Sequence, residues 1–338
     1  MASVDEIRDR LALGGVSGVA KLAVVVVAAI LLPFVFGTST ANTVLVLAVF
    51  AIGYNLLLGY GGELSFGHAA FFGLGAYGTV IAAELVMANL YVAMVVSVVF
   101  TTLVALVFGF ISLRRRGIYF AMITLALAQM VYYVVFQWNE LTGGQNGKSI
   151  PMYSAPIAGI DPLSAGLDFY VFGLVLLALT WLAVRRVIQS PFGRALMAVR
   201  ESEERARHLG YNVNGLLLLA FTLSGALAGL AGALHAVLFA FVGPGLLFWT
   251  MSGEVVLIAI LGGIGTLNGP IVGAIIFGVL SVNLTKVTQN WPIIFGTIFV
   301  LIVMFAPEGV YGMYENYVED REGGFDARSV IDRLRGGG

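Results

Sequence analysis

The sequence predicts an all-α, polytopic integral membrane protein with about ten transmembrane helices, in a range of roughly eight to ten. Three observations predict it. Asp, Glu, Lys and Arg make up only 11% of the 338 residues, where soluble domains carry about 25%. Hydrophobic residues make up 59% and the mean hydropathy is +0.95, which leaves too little polar surface to cover a globule in water. The apolar residues gather in windows of about 17 to 25, each able to cross roughly 30 Å of hydrocarbon as a helix, without the period-2 alternation of barrel strands. The same composition excludes other classes. A net charge of −1 argues against nucleic-acid binding by counterion release, and the absence of cysteine removes disulfides, thiolate metal sites and cysteine nucleophiles.

Residues 1–19 read as a cytoplasmic N-terminal segment. Asp5, Glu6 and Asp9 stand among Arg8 and Arg10, and the apolar stretch from Leu22 to Phe36 meets no cleavage site, so 20–36 is a first span and not a cleaved signal. Further windows follow at 42–59, 64–87, 90–112, 117–137, 169–185, 214–242, 244–261, 270–286 and 292–306. The turn Gly262-Gly263-Ile264-Gly265-Thr266-Leu267-Asn268-Gly269 divides 244–286, which is read either as two spans or as re-entrant. Lys and Arg stay on the cytoplasmic side during insertion. With both termini there, only Lys148 and Lys286 of the 18 basic residues fall outside, and an even number of crossings keeps Arg321, Arg328, Arg333 and Arg335 with the rest. Trp138, Trp249 and Trp291 then fall at outer boundaries. The transmembrane domain is 20–307, with an outer loop at 138–167 and a cytoplasmic loop at 187–213; 308–338 is a cytoplasmic tail expected to be mobile.

The cytoplasmic loop reads as one amphipathic helix over 190–209. Ser190 can cap it, Pro191 suits its first position, and Gly210 suits a left-handed stop. Arg200 with Glu204, Glu201 with Arg205 and Glu203 with Arg207 stand at i, i+4, and Leu196, Val199, Ala206 and Leu209 form an apolar stripe. Such a helix serves either as a solvated connector or as a docking element for a cytoplasmic partner.

Several motifs are set aside. Gly73-Leu74-Gly75-Ala76-Tyr77-Gly78 fits the dinucleotide pattern, but no strand precedes it, and the run 262–269 lacks the Gly-Lys-Ser/Thr ending of a phosphate loop. Gly225, Gly229 and Gly232, with Ala228, instead form a small face for close helix packing. Ionisable groups within spans are costly unless paired or facing a polar cavity, which makes Glu63, His68, Glu84, His235 and Glu254 informative. Glu84 and Lys286 lie near boundaries, where snorkelling is the default. Glu63 and His68 suit a paired role near the inner surface, His235 an interhelical hydrogen bond, and Glu254 either a structural bond or transport. No two histidines share a segment, and no serine, histidine and acid arrangement suggests hydrolysis. Gly62-Glu63 followed by Gly73 and Gly75 echoes Gly253-Glu254 followed by Gly262, Gly263 and Gly265 in segments of opposite direction, as an inverted repeat requires. The echo points to a midplane passage, with Glu63, Ser65, His68, Glu254, Gly262, Gly263 and Gly265 as candidates for the path or its gate.

The run from Asn55 to Gly73, NLLLGYGGELSFGHAAFFG, closely resembles the signature of branched-chain amino acid ABC importer permeases, of the LivM subfamily. Arg116 to Met122, Thr142-Gly143-Gly144, Ser190 to Ala195 running to Gly210, and Gly262 to Pro270 agree in order and spacing, so the resemblance covers about 20–310. It implies a permease subunit in the cell membrane, with a second homologous permease, two cytoplasmic ATPases that use ATP and Mg, and an extracytoplasmic solute-binding protein as partners. No cofactor is expected on this chain. The resemblance makes 190–209 the coupling helix, with Arg194, Arg200, Glu201, Glu203, Glu204, Arg205, Ala206 and Gly210 toward the ATPase, although the spacing departs from the strictest loop motif. The implied mechanism is alternating access driven by the ATPases. Similar permeases carry branched-chain amino acids, other amino acids, urea, short amides or aromatic acids. From the residues alone, an ion-coupled secondary transporter is a rival, with Glu63, Glu254 or His235 carrying the proton.

Overall fold

The computed structural model describes residues 32–85, 89–150, 166–287, 290–305 and 309–313. The N-terminal segment, most of the first window, residues 151–165 of the outer loop and the tail beyond 313 lie outside these. Among the described residues the chain is helical apart from turns and one pair of two-residue strands.

Two long helices form the centre. Helix α1, Thr38–Asn55, continues as a widened π turn over Leu56–Tyr60, and almost every side chain along it is buried. Three helices follow: α2, His68–Leu85, then α3, Leu90–Ser112, capped by the Asn89 side chain, and α4, Ile118–Gln137. A short turn of helix α5, Asn139–Thr142, leads to strand β1, Lys148–Ser149. Helix α6, Leu167–Gln189, returns to the loop helices α7, Pro191–Glu201, and α8, Glu203–His208. The second central helix, α9, Val213–Phe239, is followed by strand β2, Phe241–Val242, then α10, Trp249–Gly262, α11, Gly269–Val287, and α12, Trp291–Phe305.

Helix α9 packs against α1, α2 and α3, and α1 in turn against α6, α10 and α11. Small residues permit the closest crossing. A Cβ on Gly232 would run into the Phe72 carbonyl, one on Gly75 into the Gly229 backbone, and one on Gly229 into the Thr101 side chain, so α2 and α9 meet backbone to backbone and α3 packs Thr101 on α9. Apolar side chains on the outer faces of α3, α4 and α6, such as Val99, Phe110, Met122, Tyr133 and Leu179, are exposed, as expected where lipid is the solvent. Among the described residues, six helical stretches are long and apolar enough to cross a membrane: Thr38–Tyr60, Leu90–Ser112, Ile118–Gln137, Leu167–Gln189, Val213–Phe239 and Gly269–Val287.

The windows at 64–87 and 244–261 differ from the expected continuous spans. Helix α2 begins only at His68, and α10 only at Trp249, with 14 residues, about 21 Å. Gly62 at φ +75° stops α1, and Gly243, Pro244 and Gly245 keep the chain after α9 out of α-helix, with one 3₁₀ turn over Pro244–Leu247. The ends of the molecule are well separated in composition. Glu63, Arg116 and Glu203 meet at one, while at the other β1 pairs with β2 and Lys148 Nζ stands 2.6 Å from Glu84, so Glu84 is ion-paired and not merely snorkelling.

Candidate functional site

Half-way along α9 a polar cluster interrupts the apolar core. Ser224, eleven residues or about 16 Å into α9, donates its hydroxyl to the Gly53 carbonyl at 2.6 Å. Its oxygen must therefore accept from His68 Nε2 at 2.8 Å, which leaves Nδ1 as the acceptor for the Ser65 hydroxyl at 3.1 Å. Ser65 Oγ accepts in turn from the Gly67 amide at 3.2 Å. The partners assign the Nε2–H tautomer and leave no member of this chain of bonds unsatisfied. Ser65, His68 and Ser224 have no exposed surface.

Residues 62–67 carry the chain from the arginine-rich end to this depth without helix, and neighbouring elements meet their polar groups. Tyr54 Oη donates to the Ser65 carbonyl at 3.0 Å, and Thr124 Oγ1 accepts the Phe66 amide at 3.2 Å. Ser252 Oγ, in the first turn of α10, accepts the Ala69 amide in the first turn of α2 at 2.8 Å. Irregular backbone at membrane depth requires such partners. On the opposite strand of the architecture, 240–248 descends from the β1–β2 end, and Leu247 fills the space beside Gly73. Two helices thus start at depth with their N-termini adjacent, α2 running one way and α10 the other.

Just beyond Ser252, Gly253 faces open space, and Glu254 is half-buried with no hydrogen-bond or ion-pair partner among the described residues. The two members of the glycine echo differ in local structure, since Gly62-Glu63 lies in a loop and Gly253-Glu254 within α10. His235 is half-buried away from this cluster, against Phe72 and Phe239. No group of three or more His, Cys, Asp or Glu converges among the described residues.

At the arginine-rich end the loop is two helices and not one. Ser190 caps α7 through the Gly193 amide, and Gly210 takes φ +87° beyond α8. Ser202 is extended, with φ −163° and ψ 106°, and its hydroxyl caps α8 through the Arg205 amide. The pairs Arg200 with Glu204 and Glu201 with Arg205 straddle this break and are not made; Glu203 with Arg207 is, at 2.6 Å. Leu209, expected on the apolar stripe, is 76% exposed, whereas Leu196, Val199 and Ala206 are buried.

The charged loop residues divide into two sets. Arg194, Glu201, Glu204 and Arg205 are exposed, as is Gly210. Glu203 is half-buried and Arg200 is also exposed overall, but the charged ends of both turn toward the membrane body. Arg200 Nη1 donates to the Gly59 carbonyl, while its methylenes lie over Gly62 and its guanidinium against Gly265. Glu203 approaches Arg116 at 3.4 Å; Arg116 also stands 3.7 Å from Glu63 and donates to Asn214 Oδ1 at 2.5 Å. Burial raises the Glu63 carboxyl above the usual range, Arg116 and the Gly117 amide draw it back down, and Glu203 pushes it up. The turn 263–268 is pinned to α1 by Asn55, whose side chain donates to the Thr266 carbonyl at 2.8 Å and accepts the Gly265 amide at 3.0 Å. Gly263 at φ +120° and Gly265 at φ +82° allow the turn, and Gly262 lies against the Gly269 carbonyl.

Arg116, Asn55, Tyr54, Ser224 and Ser252 were not legible as site residues from spacing alone. Their signal was polarity within or beside apolar windows.

The sequence pattern of the family described as branched-chain amino acid transport system / permease component matches residues 36–306. The chain belongs to this family. The match takes in both the buried polar cluster and the loop helices. The high-affinity branched-chain amino acid transport system permease protein LivM of Escherichia coli strain K12 is 29% identical over 316 residues, covering 86% of this chain and 74% of its own. LivM of Salmonella typhimurium is 28% identical over 294 residues, covering 81% and 69%. BraD of Pseudomonas aeruginosa is 26% identical over 289 residues, covering 79% and 92%. No solved structure matches the permease. It is a multi-pass membrane protein and a transport-system permease component.

Proposed function

We propose that the permease forms the cell-membrane pathway for branched-chain or similar amino acids in an ATP-binding-cassette importer. Its partners on this reading are a second homologous permease, two cytoplasmic ATPases that bind ATP and Mg, and an extracytoplasmic binding protein, and the arginine-rich end faces the cytoplasm. One observation supports the reading most: two helices begin at depth with adjacent N-termini, and a charged loop is bonded to the segments beside them. Discontinuous helices are the usual setting of a midplane passage, and a bonded loop can rock them in alternating access. Along that passage we assign Gly253, Glu254 and the turn 262–265; Ser65 and His68 support it from behind. Exposed Glu201, Glu204, Arg205, Leu209 and Gly210 form the surface offered to the ATPase.

The test is purification of the tagged chain from native membranes in mild detergent, identification of co-purifying proteins and assay of ATP hydrolysis. Recovery of a second permease and ATPase subunits, with hydrolysis stimulated by a binding protein loaded with leucine, isoleucine or valine, is the expected result. Stimulation only by a protein loaded with urea, an amide or an aromatic acid changes the solute and keeps the mechanism. The half-buried, unpartnered Glu254 favours one reading of another class, an ion-coupled transporter. A chain that purifies alone and carries solute without ATP, with Glu254→Gln abolishing transport, would establish that alternative.

A further inference from the structure

Helix α1 ends in a π turn whose last carbonyls need donors from outside the helix. The Gly62 amide reaches the Leu58 carbonyl and the Glu63 amide the Leu57 carbonyl, at 3.1 and 3.4 Å. The donor to the Gly59 carbonyl is Arg200, from a helix 141 residues further along the chain. A cation at a helix C-terminus is doubly suited, since it satisfies an orphan carbonyl and meets the negative end of the helix dipole. The same guanidinium lies against Gly265, in the turn that Asn55 pins to α1, and a Cβ at Gly265 would come 2.7 Å from Nη1. Its methylenes rest on Gly62, where a Cβ would come 3.0 Å from Cγ. One side chain therefore touches the end of α1, the start of the irregular entry to α2, and the turn between α10 and α11. Glycine at 62 and 265 is what lets it lie there, while a Cβ at Gly59 would meet Asn55 and the Gly265 amide.

We propose that Arg200 is a positioning residue that locks α7 to α1 and to the 263–268 turn, so that displacement of the loop reaches both discontinuous helices as one rigid movement. This rests on the proposed importer function, but it reassigns Arg200 from partner contact to an internal tie. Arg116, through Glu203 and Glu63, holds the neighbouring α8 to the same entry segment. Two lines of contact thus run inward from the loop, while Glu201, Glu204 and Arg205 are exposed on its outer face.

The test uses the assembled transporter in lipid nanodiscs and proteoliposomes. Arg200→Ala is expected to assemble with its ATPases and hydrolyse ATP, yet to carry about tenfold less solute per ATP, a loss within the range of coupling between sites. Arg200→Lys, which keeps the charge and one donor but not the flat fork, should recover part of the ratio, and Gly265→Ala should lose it as Arg200→Ala does. Because the chain has no cysteine, it can be labelled at Ala198→Cys and Ile264→Cys alone before assembly with its partners, and the nitroxides then read the separation of α7 from the turn. In the otherwise unchanged protein that separation should stay constant between nucleotide-free and ATP-trapped states, and it should broaden in Arg200→Ala even without nucleotide. A normal solute-to-ATP ratio in Arg200→Ala, or a change of more than about 2 Å between states in the unchanged protein, the scale at which packed helices shift, would overturn the tie. If Arg200→Ala fails to assemble, the labels in the unchanged protein decide. If the unchanged complex neither binds ATPases nor hydrolyses ATP, the importer reading fails, while the nucleotide-free label distances still report on the tie.

Discussion

The buried cluster around His68 and the charged cluster around Arg116 and Arg200 are both polar interruptions of an apolar chain, yet they are built from opposite chemistry. At depth the groups are neutral hydroxyls and one imidazole, joined in a chain that ends on a backbone carbonyl, with no exposed surface at Ser65, His68 or Ser224. At the arginine-rich end the groups are charged, and Arg116 and Glu203 keep 23% and 34% of their side-chain surface exposed. Where water is excluded, polar groups persist only if every donor and acceptor is matched, and charge is too costly. Where water reaches, charges can pair loosely and re-pair. The first cluster is suited to hold shape and the second to transmit movement.

That contrast makes disruption of the buried region the more damaging. Gly232→Val places side-chain atoms on the Phe72 backbone and is expected to exceed the ~1–3 kcal/mol typical of overpacking; loss of the monodisperse peak in detergent chromatography is the readout. His68→Ala removes the acceptor for Ser65 and the donor to Ser224 and leaves a cavity, for about 2–4 kcal/mol in chemical denaturation. Its solute-to-ATP ratio in surviving protein should be unchanged, and a lowered ratio would move His68 into the coupling machinery.

Arg116→Ala should cost less, about 1–3 kcal/mol, because Glu63 loses its cation but can take up a proton. The sign follows from the raised Glu63 carboxyl. Without Arg116 it rises further above its unfolded value, so the stability of the variant relative to the parent is best at low pH and falls as pH rises through the folded-state value. Melting curves from pH 5 to 8 in steps should therefore diverge with rising pH, and parallel curves would remove Glu63 from the account. Smallest in stability is Glu204→Ala, 88% exposed, which should leave the melting temperature unchanged. If it also leaves ATPase binding unchanged, the outer face of the loop is a solvated connector.

Much of the fold was legible because hydropathy is a sum over local residues. The windows at 42–59, 90–112, 117–137, 169–185 and 270–286 coincide with helices for that reason, and the turn at 262–269 announced itself by glycine. The late starts of α2 and α10 were not seen because residues 64–67 and 244–248 are apolar enough to count as span, although Gly243-Pro244-Gly245 carried a breaker signal. The break at Ser202 escaped for another reason: serine is neutral within a helix, and its preference for capping is expressed only when the chain turns.

The sequence by itself determined the class of the molecule, the order of its membrane segments, and the family to which it belongs. Tertiary structure alone decided which polar residue meets which: His68 with Ser224, 156 positions away, Arg200 with Gly59, and Asn55 with Thr266, 211 positions away. Local pattern records how a residue prefers lipid or water, whereas a hydrogen bond between distant positions depends on how helices cross, and that is settled by packing in three dimensions.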